Sequence, residues 1–253
     1  MKPTNENQST THPTKNQWYA SWFDTPFYHI LYKDRDYSEA KPFMDNITQY
    51  LNLPDEAKIL DLACGKGRHS IYLSELGYDV TGADLSENSI QIAQKSAHEK
   101  LHFKVHDMRL PMNDQFDAIF NLFTSFGYFD NEEDNLTTLK AIKSNLKDDG
   151  FAVIDFMNVD YVIEHLVPNE IKTVENIDFH IHRYVENKYI FKKITFDFEG
   201  TPYEFTERVR ALTLQDFETM MEAADIYLLD VFGDYKLRKF SKTQSERLIL
   251  IFK

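Results

Sequence analysis

The pattern of hydrophobic and polar residues divides the chain into a region of alternating strands and helices and a region of strands alone. In residues 56–160, short apolar runs predict buried strands, and runs with apolar residues three and four apart predict the helices between them. The predicted strands are 59–62, 79–83, 101–105, 116–120 and 151–156. This alternation predicts a parallel sheet with right-handed crossovers, a doubly wound α/β domain.

The helices of this region are predicted at 68–76, 86–97 and 132–146. Ser86 is placed as the residue whose side chain caps the start of the second helix. The first helix follows its strand through a short turn that contains two of the chain's eight glycines. A strand, a glycine turn and a helix in this order let the backbone approach a ligand closely.

A period of two replaces the helical period in residues 178–212. The alternation breaks at Glu186-Asn187 and at Glu199-Gly200, which predicts an antiparallel meander of three strands. A helix over 214–224, capped by Thr213, follows the meander. Two more strands, near 226–232 and at 247–252, close the chain, and we expect the last one to enter the sheet antiparallel.

Aromatic residues dominate the segment before the first strand. They are Trp18, Tyr19, Trp22, Phe23, Phe27, Tyr28 and Tyr32. Their spacing predicts a helical cap that lies on the domain surface or over its cleft. We therefore divide the chain into a disordered tail at 1–17, a cap at 18–55, the α/β domain at 56–160 and 213–253, and an inserted β lid at 161–212.

Composition narrows the classes of partner. Hydrophobic residues make up 42% and charged residues 27% of the chain, as in soluble globular proteins. A net charge of −13 argues against a nucleic-acid partner, because binding a phosphate backbone needs a basic surface. The single cysteine fits a reducing compartment, and no apolar run is long enough to span a bilayer. We expect a cytoplasmic monomer or homodimer without a membrane partner.

The carboxyl ends of the predicted parallel strands are the place for a ligand. The turn "ACGKG" follows the first strand, Asp84 ends the second, and Asp107-Met108 follows the third. A dinucleotide fingerprint would need glycine at position 70, where this chain has Ser70. An acid at Asp84 suits the ribose of any adenosine cofactor, whereas Asp107 adds a second polar anchor suited to an adenine amino group.

Four motifs in order resemble those of the class I S-adenosylmethionine-dependent methyltransferases. They are "ILDLACGKG", "VTGADLSENSI", "VHDMRLP" and "FDAIFNLFTSFGYF". The resemblance is closest to small-molecule enzymes related to the sugar N-methyltransferases. It implies a Rossmann-like seven-stranded sheet whose last strand is antiparallel, with the meander inserted before the last helix. It also implies S-adenosylmethionine as the cofactor.

The resemblance implies roles for individual residues. Gly65 and Gly67 would bring the backbone close to the methionine part of the cofactor. Asp84 would bind the ribose hydroxyls, and Asp107 would bind the adenine amino group. The other implied contacts are Leu85 and Met108 at the adenine, Asn121 and Leu122 at the sulfonium, and Tyr32 and Arg35 at the cofactor carboxylate.

Several residues keep two interpretations. Asp61 either caps the glycine turn or contacts the cofactor. Ala63 stands where the family motif has its first glycine, a change that adds only a methyl group. Tyr128 lines an acceptor pocket or simply packs. His180 and His182 either form part of a polar face of the sheet or supply a base on the substrate side. The sequence shows no further ligands at the spacing that a metal site would need. Cys64 is interpreted as a small buried apolar residue.

The expected function is transfer of a methyl group to a small-molecule acceptor by in-line displacement. Neither a metal site nor a catalytic triad is needed, because a sulfonium methyl is already activated. One alternative is an NAD(P)-dependent oxidoreductase, which Ser70 disfavours. The other is a non-catalytic module that binds a nucleoside without turnover.

Overall fold

The computed structural model describes residues 22–33 and 37–253, which form two β-sheets and the helices packed on them. The predicted tail at 1–17 and the aromatic residues Trp18 and Tyr19 lie outside the described residues, as does Arg35. Among the described residues, no helix combines the length and the apolar character needed to cross a membrane.

The larger sheet has seven strands. They are β1 Lys58–Leu62, β2 Asp79–Asp84, β3 Leu101–Val105, β4 Phe116–Asn121, β5 Leu146–Met157, β10 Leu228–Phe232 and β11 Arg247–Phe252. Their order across the sheet is β10-β11-β5-β4-β1-β2-β3, and β11 is antiparallel to both of its neighbours. The predicted doubly wound sheet with an antiparallel last strand is therefore confirmed. β5 begins five residues before the predicted 151, because Leu146 already pairs with Phe116 of β4, ahead of a register shift and the polar residues 147–149 that hide the start of the strand in the sequence.

The smaller sheet is an antiparallel meander of four strands, not the predicted three. They are β6 Asn169–Val174, β7 Ile177–Glu186, β8 Tyr189–Phe198 and β9 Thr201–Arg210. β6 was missed because it is an edge strand without an apolar alternation; Ile171 is 62% exposed. Two-residue turns with positive φ at both positions join the strands, as in type I′ hairpins.

The described helices lie where the sequence pattern places them, with shorter ends, except for the short helix α6, which the sequence did not predict. They are α1 Pro26–Leu31, α2 Tyr37–Leu51, α3 Arg68–Glu75, α4 Glu87–Ala93, α5 Glu132–Ser144, α6 Val159–Glu164 and α7 Leu214–Ala223. The helix predicted at 86–97 is α4 followed by a 3₁₀ turn. Ser86 Oγ accepts the amide N–H of Ser89, and Thr213 and Asp216 form a capping box at α7.

Two buried clusters cover the two faces of the larger sheet. Neighbouring residues of β1 point in opposite directions, so that Ile59 lies in the cluster with α2, α3 and α4, while Leu60 lies in the cluster with α5 and α7. A third cluster joins α1 to the smaller sheet through Trp22 and Leu31. The indole ring of Trp22 lies 4.4 Å from the ring of Phe205. The first part of the cap, with Trp22 and α1, thus packs on the inserted sheet, whereas α2 packs on the larger sheet.

Candidate active site

A cavity of about 460 Å³ lies at the carboxyl ends of β1, β2, β3 and β4, with α1 above it. This volume is in the range of small-molecule sites. Most of the residues implied by the resemblance line it, namely Tyr32, Asp61, Ala63, Gly65, Asp84, Leu85, Asp107, Met108 and Leu122. Gly67 and Asn121 are not among its lining residues, and Arg35 lies outside the described residues.

The two glycines of the turn have different surroundings. Gly65 has a φ of +56°, and a Cβ added there would meet no atom within 4 Å. Gly67 has a φ of +81°, and its Cβ would lie 2.6 Å from the ring of Phe103. Gly65 therefore leaves open space at the cavity, whereas Gly67 lets α3 pack closely against β3.

Asp61 links β1 to the start of α3. Its carboxylate accepts the hydroxyl hydrogen of Ser70 at 2.6 Å, and both side chains are buried. Burial raises the pKa of Asp61 to about 6, against the opposing effect of the Ser70 hydrogen bond. The partner of Asp61 lies in α3 and not in the glycine turn that Asp61 was expected to cap. Asp61 also lines the cavity, where a ligand could reach it. Ser70, which breaks the dinucleotide fingerprint, is thus the partner of this acid.

Asp84 holds the glycine turn from the end of β2. One carboxylate oxygen accepts the amide N–H of Gly65 at 2.8 Å, and the other accepts that of Ser86 at 2.8 Å. Burial raises its pKa, against the effect of these two backbone hydrogen bonds. Each oxygen retains a further lone pair for a donor in the cavity. Ser86 also donates its hydroxyl to Asp24, just before α1.

Asp107 is paired with a residue that the sequence motifs did not single out. Arg109 Nε donates to Asp107 at 3.0 Å, and Arg109 Nη1 donates to Asp134 at 3.0 Å. Burial opposes ionisation of Asp107, but the hydrogen bonds from Arg109 outweigh it and lower the pKa. Asp107 therefore remains an oriented carboxylate at neutral pH. An arginine two residues after an acid is a common surface pattern, which is why it gave no signal.

The end of β4 has a buried polar link and a strained loop. Asn121 Nδ2 donates to the carbonyl oxygen of Leu62 at 2.9 Å, which joins β4 to β1 behind the cavity wall. Phe123 and Thr124, which line the cavity, have φ values of +56° and +62°. Left-handed backbone costs about 1–3 kcal/mol at a non-glycine residue, and it is most unusual for a β-branched one.

The roof of the cavity is tied to the smaller sheet by one carboxylate. Glu207 of β9 accepts the hydroxyl hydrogen of Tyr32 at 2.6 Å and the indole N–H of Trp22 at 2.7 Å. Lys192 of β8 also donates to the Tyr32 hydroxyl. Tyr32 thus lines the cavity while its hydroxyl is bonded to the lid. The ring of Tyr128 lines the cavity as well and lies 5.6 Å from that of Phe23.

Two histidines that line the cavity, His29 and His69, are neutral at pH 7. Burial lowers the pKa of His29 to about 4 with a further effect of Lys66, and burial lowers that of His69 to about 3. The His69 ring stacks on Phe123 with centroids 4.8 Å apart. His180 and His182 do not line this cavity. Among the described residues, no group of three or more histidine, cysteine or acidic side chains could hold a metal ion.

Cys64 is buried and lines the cavity beside the glycine turn. Burial raises the pKa of its thiol well above the usual value, with Asp61 and Asp84 adding to the effect. A protonated, buried thiol is a poor nucleophile. Its environment is that of a small apolar residue.

Comparison with known proteins distinguishes the methyltransferase from the oxidoreductase alternative. Residues 59–150 match the family model described as a methyltransferase domain. The chain is 29% identical over 246 residues to "Putative methyltransferase YqeM" of Bacillus subtilis, a match that covers 92% of this chain and 94% of that protein. The chain is a class I S-adenosylmethionine-dependent methyltransferase. The comparisons give no support to the oxidoreductase alternative.

Other relatives of this methyltransferase match part of the chain or only its fold. Glycine/sarcosine N-methyltransferase of Aphanothece halophytica is 31% identical over 141 residues, which cover 53% of this chain and 52% of the relative. An S-adenosylmethionine-dependent methyltransferase from Clostridium acetobutylicum has a similar structure, with a TM-score of 0.76 at 24% identity, covering 90% and 97% of the two chains. A sugar N-methyltransferase from Streptoalloteichus gives a TM-score of 0.68 at 17% identity, covering 89% and 90%.

Proposed function

We propose that this methyltransferase acts on a small-molecule acceptor that shares the cavity with S-adenosylmethionine. The observation that carries the proposal is a single cavity lined by two chemically different groups of residues, which we call its carboxylate end and its aromatic end. One end has the carboxylates of Asp84 and Asp107, and the other has the aromatic rings of Phe23, Tyr28 and Tyr128. The net charge of −13 further disfavours a nucleic-acid substrate.

The side chains of the carboxylate end fit an adenosyl group. We assign Asp84 to the ribose hydroxyls, since each of its oxygens accepts one backbone N–H and retains a lone pair for a further donor. We assign Asp107 to the adenine amino group because it lines the same cavity, where Arg109 orients its carboxylate. Leu85 and Met108 supply apolar surface for the adenine ring. The open space at Gly65 leaves room for the methionine part.

The remaining implied residues receive different roles in this proposal. Leu122 borders the sulfonium from the end of β4, whereas Asn121 supports the wall through its hydrogen bond to Leu62. Gly67 acts through packing, and Ala63 contributes backbone to the turn. Tyr32 closes the roof through Glu207. Arg35 keeps its proposed role at the cofactor carboxylate.

The cofactor supplies a sulfonium-activated methyl group for in-line displacement. The chain's own task is to hold donor and acceptor in line, which can contribute about 7–11 kcal/mol in the best intramolecular cases. Phe23 and Tyr28 cover the cavity and exclude water from it. A general base is required only for an acceptor that arrives protonated.

An amine is the acceptor class that we propose to test first. Relatives are named for methylation of glycine, sarcosine and sugar nitrogen atoms. The rings of the aromatic end also suit the positive charge that develops on a nitrogen atom as it is methylated, because the faces of aromatic rings attract cations.

The cofactor assignment is tested by calorimetric titration with S-adenosylmethionine, S-adenosylhomocysteine and NADH. Asp84→Ala removes a carboxylate at the cavity, and Asp79→Ala removes one at the opposite end of the same strand. We expect Asp84→Ala to weaken binding of the first two ligands at least about 100-fold, because charge-assisted hydrogen bonds are lost. Asp79→Ala should bind normally. Unchanged binding by Asp84→Ala would refute the assignment.

The acceptor class is tested with S-adenosylmethionine labelled in its methyl group. The labelled cofactor is incubated with the protein and separate panels of amino acids, amino sugars, hydroxylated metabolites, RNA and protein. We expect label in a nitrogen-containing metabolite. Label in RNA or protein alone would contradict a small-molecule acceptor, and label in hydroxylated metabolites alone would contradict an amine.

A further inference from the structure

A buried ion pair lies behind the loop that follows β4. Asp155 in β5 is completely buried. Its Oδ1 accepts a hydrogen bond of 2.8 Å from Nε of Arg247, the first residue of β11. Its Oδ2 accepts the hydroxyl hydrogen of Tyr235 at 3.3 Å. None of these three residues is among those that line the cavity. The roles proposed above do not use them.

The ion pair is bonded directly to the strained part of the cavity wall. Asp155 Oδ2 accepts the amide N–H of Phe123 at 2.8 Å, and its carbonyl oxygen accepts that of Thr124 at 2.9 Å. Arg247 Nη2 donates to Thr124 Oγ1 at 3.1 Å. Both loop residues have the left-handed backbone that persists only where surrounding groups hold it. Asp155 and Arg247 supply the groups that hold these two residues in the left-handed conformation.

We propose that Asp155, Arg247 and Tyr235 are positioning residues for methyl transfer. They fix the wall formed by Leu122, Phe123 and Thr124, against which the acceptor and the methyl group meet. The inference rests on the proposed placement of the cofactor with Leu122 beside the sulfonium. The three residues act through the loop and do not touch the reacting atoms.

The chemistry of the pair argues for this role over simple stabilisation. A buried ion pair is costly to desolvate, and apolar residues of similar volume often stabilise a core as well or better. An apolar residue could not accept the Phe123 amide, however, and would leave that amide without its partner. The carboxylate at 155 therefore provides what the wall conformation requires.

Strand β5 also carries a second ion pair, formed with β4, that serves as a control. Lys147 Nζ lies 2.8 Å from Asp117 Oδ1 at the amino ends of β5 and β4. Neither residue is among those that line the cavity. Loss of this pair weakens the connection between the strands without changing the wall.

The experiment compares Asp155→Asn, Tyr235→Phe and Lys147→Met with the unchanged protein. Affinity for S-adenosylmethionine is measured by calorimetry. Turnover is measured at saturating cofactor with the metabolite that takes up most label in the acceptor panels. Hydrogen exchange of the peptide covering 121–127 is measured by mass spectrometry without any acceptor. Tyr235→Phe removes one hydroxyl and guards against the case in which Asp155→Asn does not fold.

We expect kcat to fall about 10- to 100-fold in Asp155→Asn and about threefold to tenfold in Tyr235→Phe. The affinity for S-adenosylmethionine should stay within threefold, because Asp84 and Asp107 anchor the adenosyl group. Both variants should speed exchange in 121–127, and Lys147→Met should change neither kcat nor this exchange. Unchanged exchange and kcat in Tyr235→Phe, or an equal loss of kcat in Lys147→Met, would overturn the inference. Failure of the unchanged protein to bind S-adenosylmethionine would instead refute the proposed function, while the exchange data would still report on the wall.

Discussion

The two ends of the cavity are built from contacts of different range. At the carboxylate end, Asp84 and Gly65 are 19 residues apart in the chain, and Asp61 and Ser70 are 9 apart. At the aromatic end, Tyr32 and Glu207 are 175 residues apart. The first end is formed within successive strand–turn–helix units, whereas the second exists only once the cap, the lid and the last strand are assembled.

This difference separates the part of the cavity that the larger sheet builds from the part that elements outside this sheet add. The carboxylate end depends on the geometry of β1, β2 and β3, which lie side by side in the larger sheet. The aromatic end depends on α1, an inserted sheet and a loop, elements whose sequences can change without altering the larger sheet. Acceptor specificity can therefore diverge while the cofactor end is kept.

The largest expected effect distinguishes the two glycines of the turn. Gly67→Ala places a Cβ 2.6 Å from the Phe103 ring at a φ of +81°, so both overpacking and backbone strain oppose it. We expect the free energy of unfolding to fall by about 3 kcal/mol in urea denaturation. Gly65→Ala should cost about 1 kcal/mol, and its main effect should be weaker binding of S-adenosylmethionine. Equal losses of stability in the two variants would contradict the different roles.

The next effect concerns pH. Because the pKa of Asp61 is raised to about 6 in the folded protein, its contribution to stability is fully present below the unfolded pKa. That contribution is lost as the pH rises from about 4 through 6, by on the order of 2 kcal/mol. Acids with lowered pKa, such as Asp117 and Asp234, act in the opposite direction at lower pH.

Asp61→Asn isolates this effect. The difference in unfolding free energy between Asp61→Asn and the unchanged protein should shift in favour of the variant as the pH rises from 4 to 7. The measurement is a series of urea denaturation curves at fixed ionic strength. A difference that stays constant across this range would mean that Asp61 titrates normally.

The sequence predicted the carboxylate end far better than the aromatic end. The motifs named Asp84 and Asp107 because each directly ends or follows a short apolar strand, and both line the cavity. The pattern could not distinguish Gly67 from Gly65, because only the position of Phe103 on a neighbouring strand gives Gly67 its packing role. Arg109 was missed because its pairing with Asp107 depends on side-chain direction.

At the aromatic end, the sequence pattern located elements but not the contacts between them. The period of two located β7, β8 and β9, yet β6 escaped notice because an exposed edge strand has no apolar alternation. Glu207, Asp155 and Arg247 carried no local signal. The cavity residues that they bond, which are Tyr32, Phe123 and Thr124, lie more than 30 residues away in the chain. Only the assembled fold brings them together.

A smaller effect is expected at the roof. Glu207→Gln weakens the charge-assisted hydrogen bonds from Tyr32 and Trp22, so we expect a loss of about 1–2 kcal/mol in stability and a severalfold higher KM for the acceptor. Glu204→Gln is the matched control, because Glu204 lies on the same strand but pairs with Lys193 in an exposed ion pair. A higher KM in both variants would mean that charge on β9, and not closure of the roof, controls the acceptor.

The smallest effect concerns Ala63, where this chain differs from the glycine of the family pattern. Its φ of +66° places an alanine in the left-handed region, which costs about 1–2 kcal/mol, and glycine removes that cost. Glycine also gains freedom in the unfolded chain, so Ala63→Gly should stabilise the protein by only about 0.5 kcal/mol. Ala83→Gly, at a buried β2 residue without a positive φ, should destabilise it. A loss of stability in Ala63→Gly would show that the methyl group packs favourably enough to offset its strained backbone, and the turn would then rely on alanine where the family uses glycine.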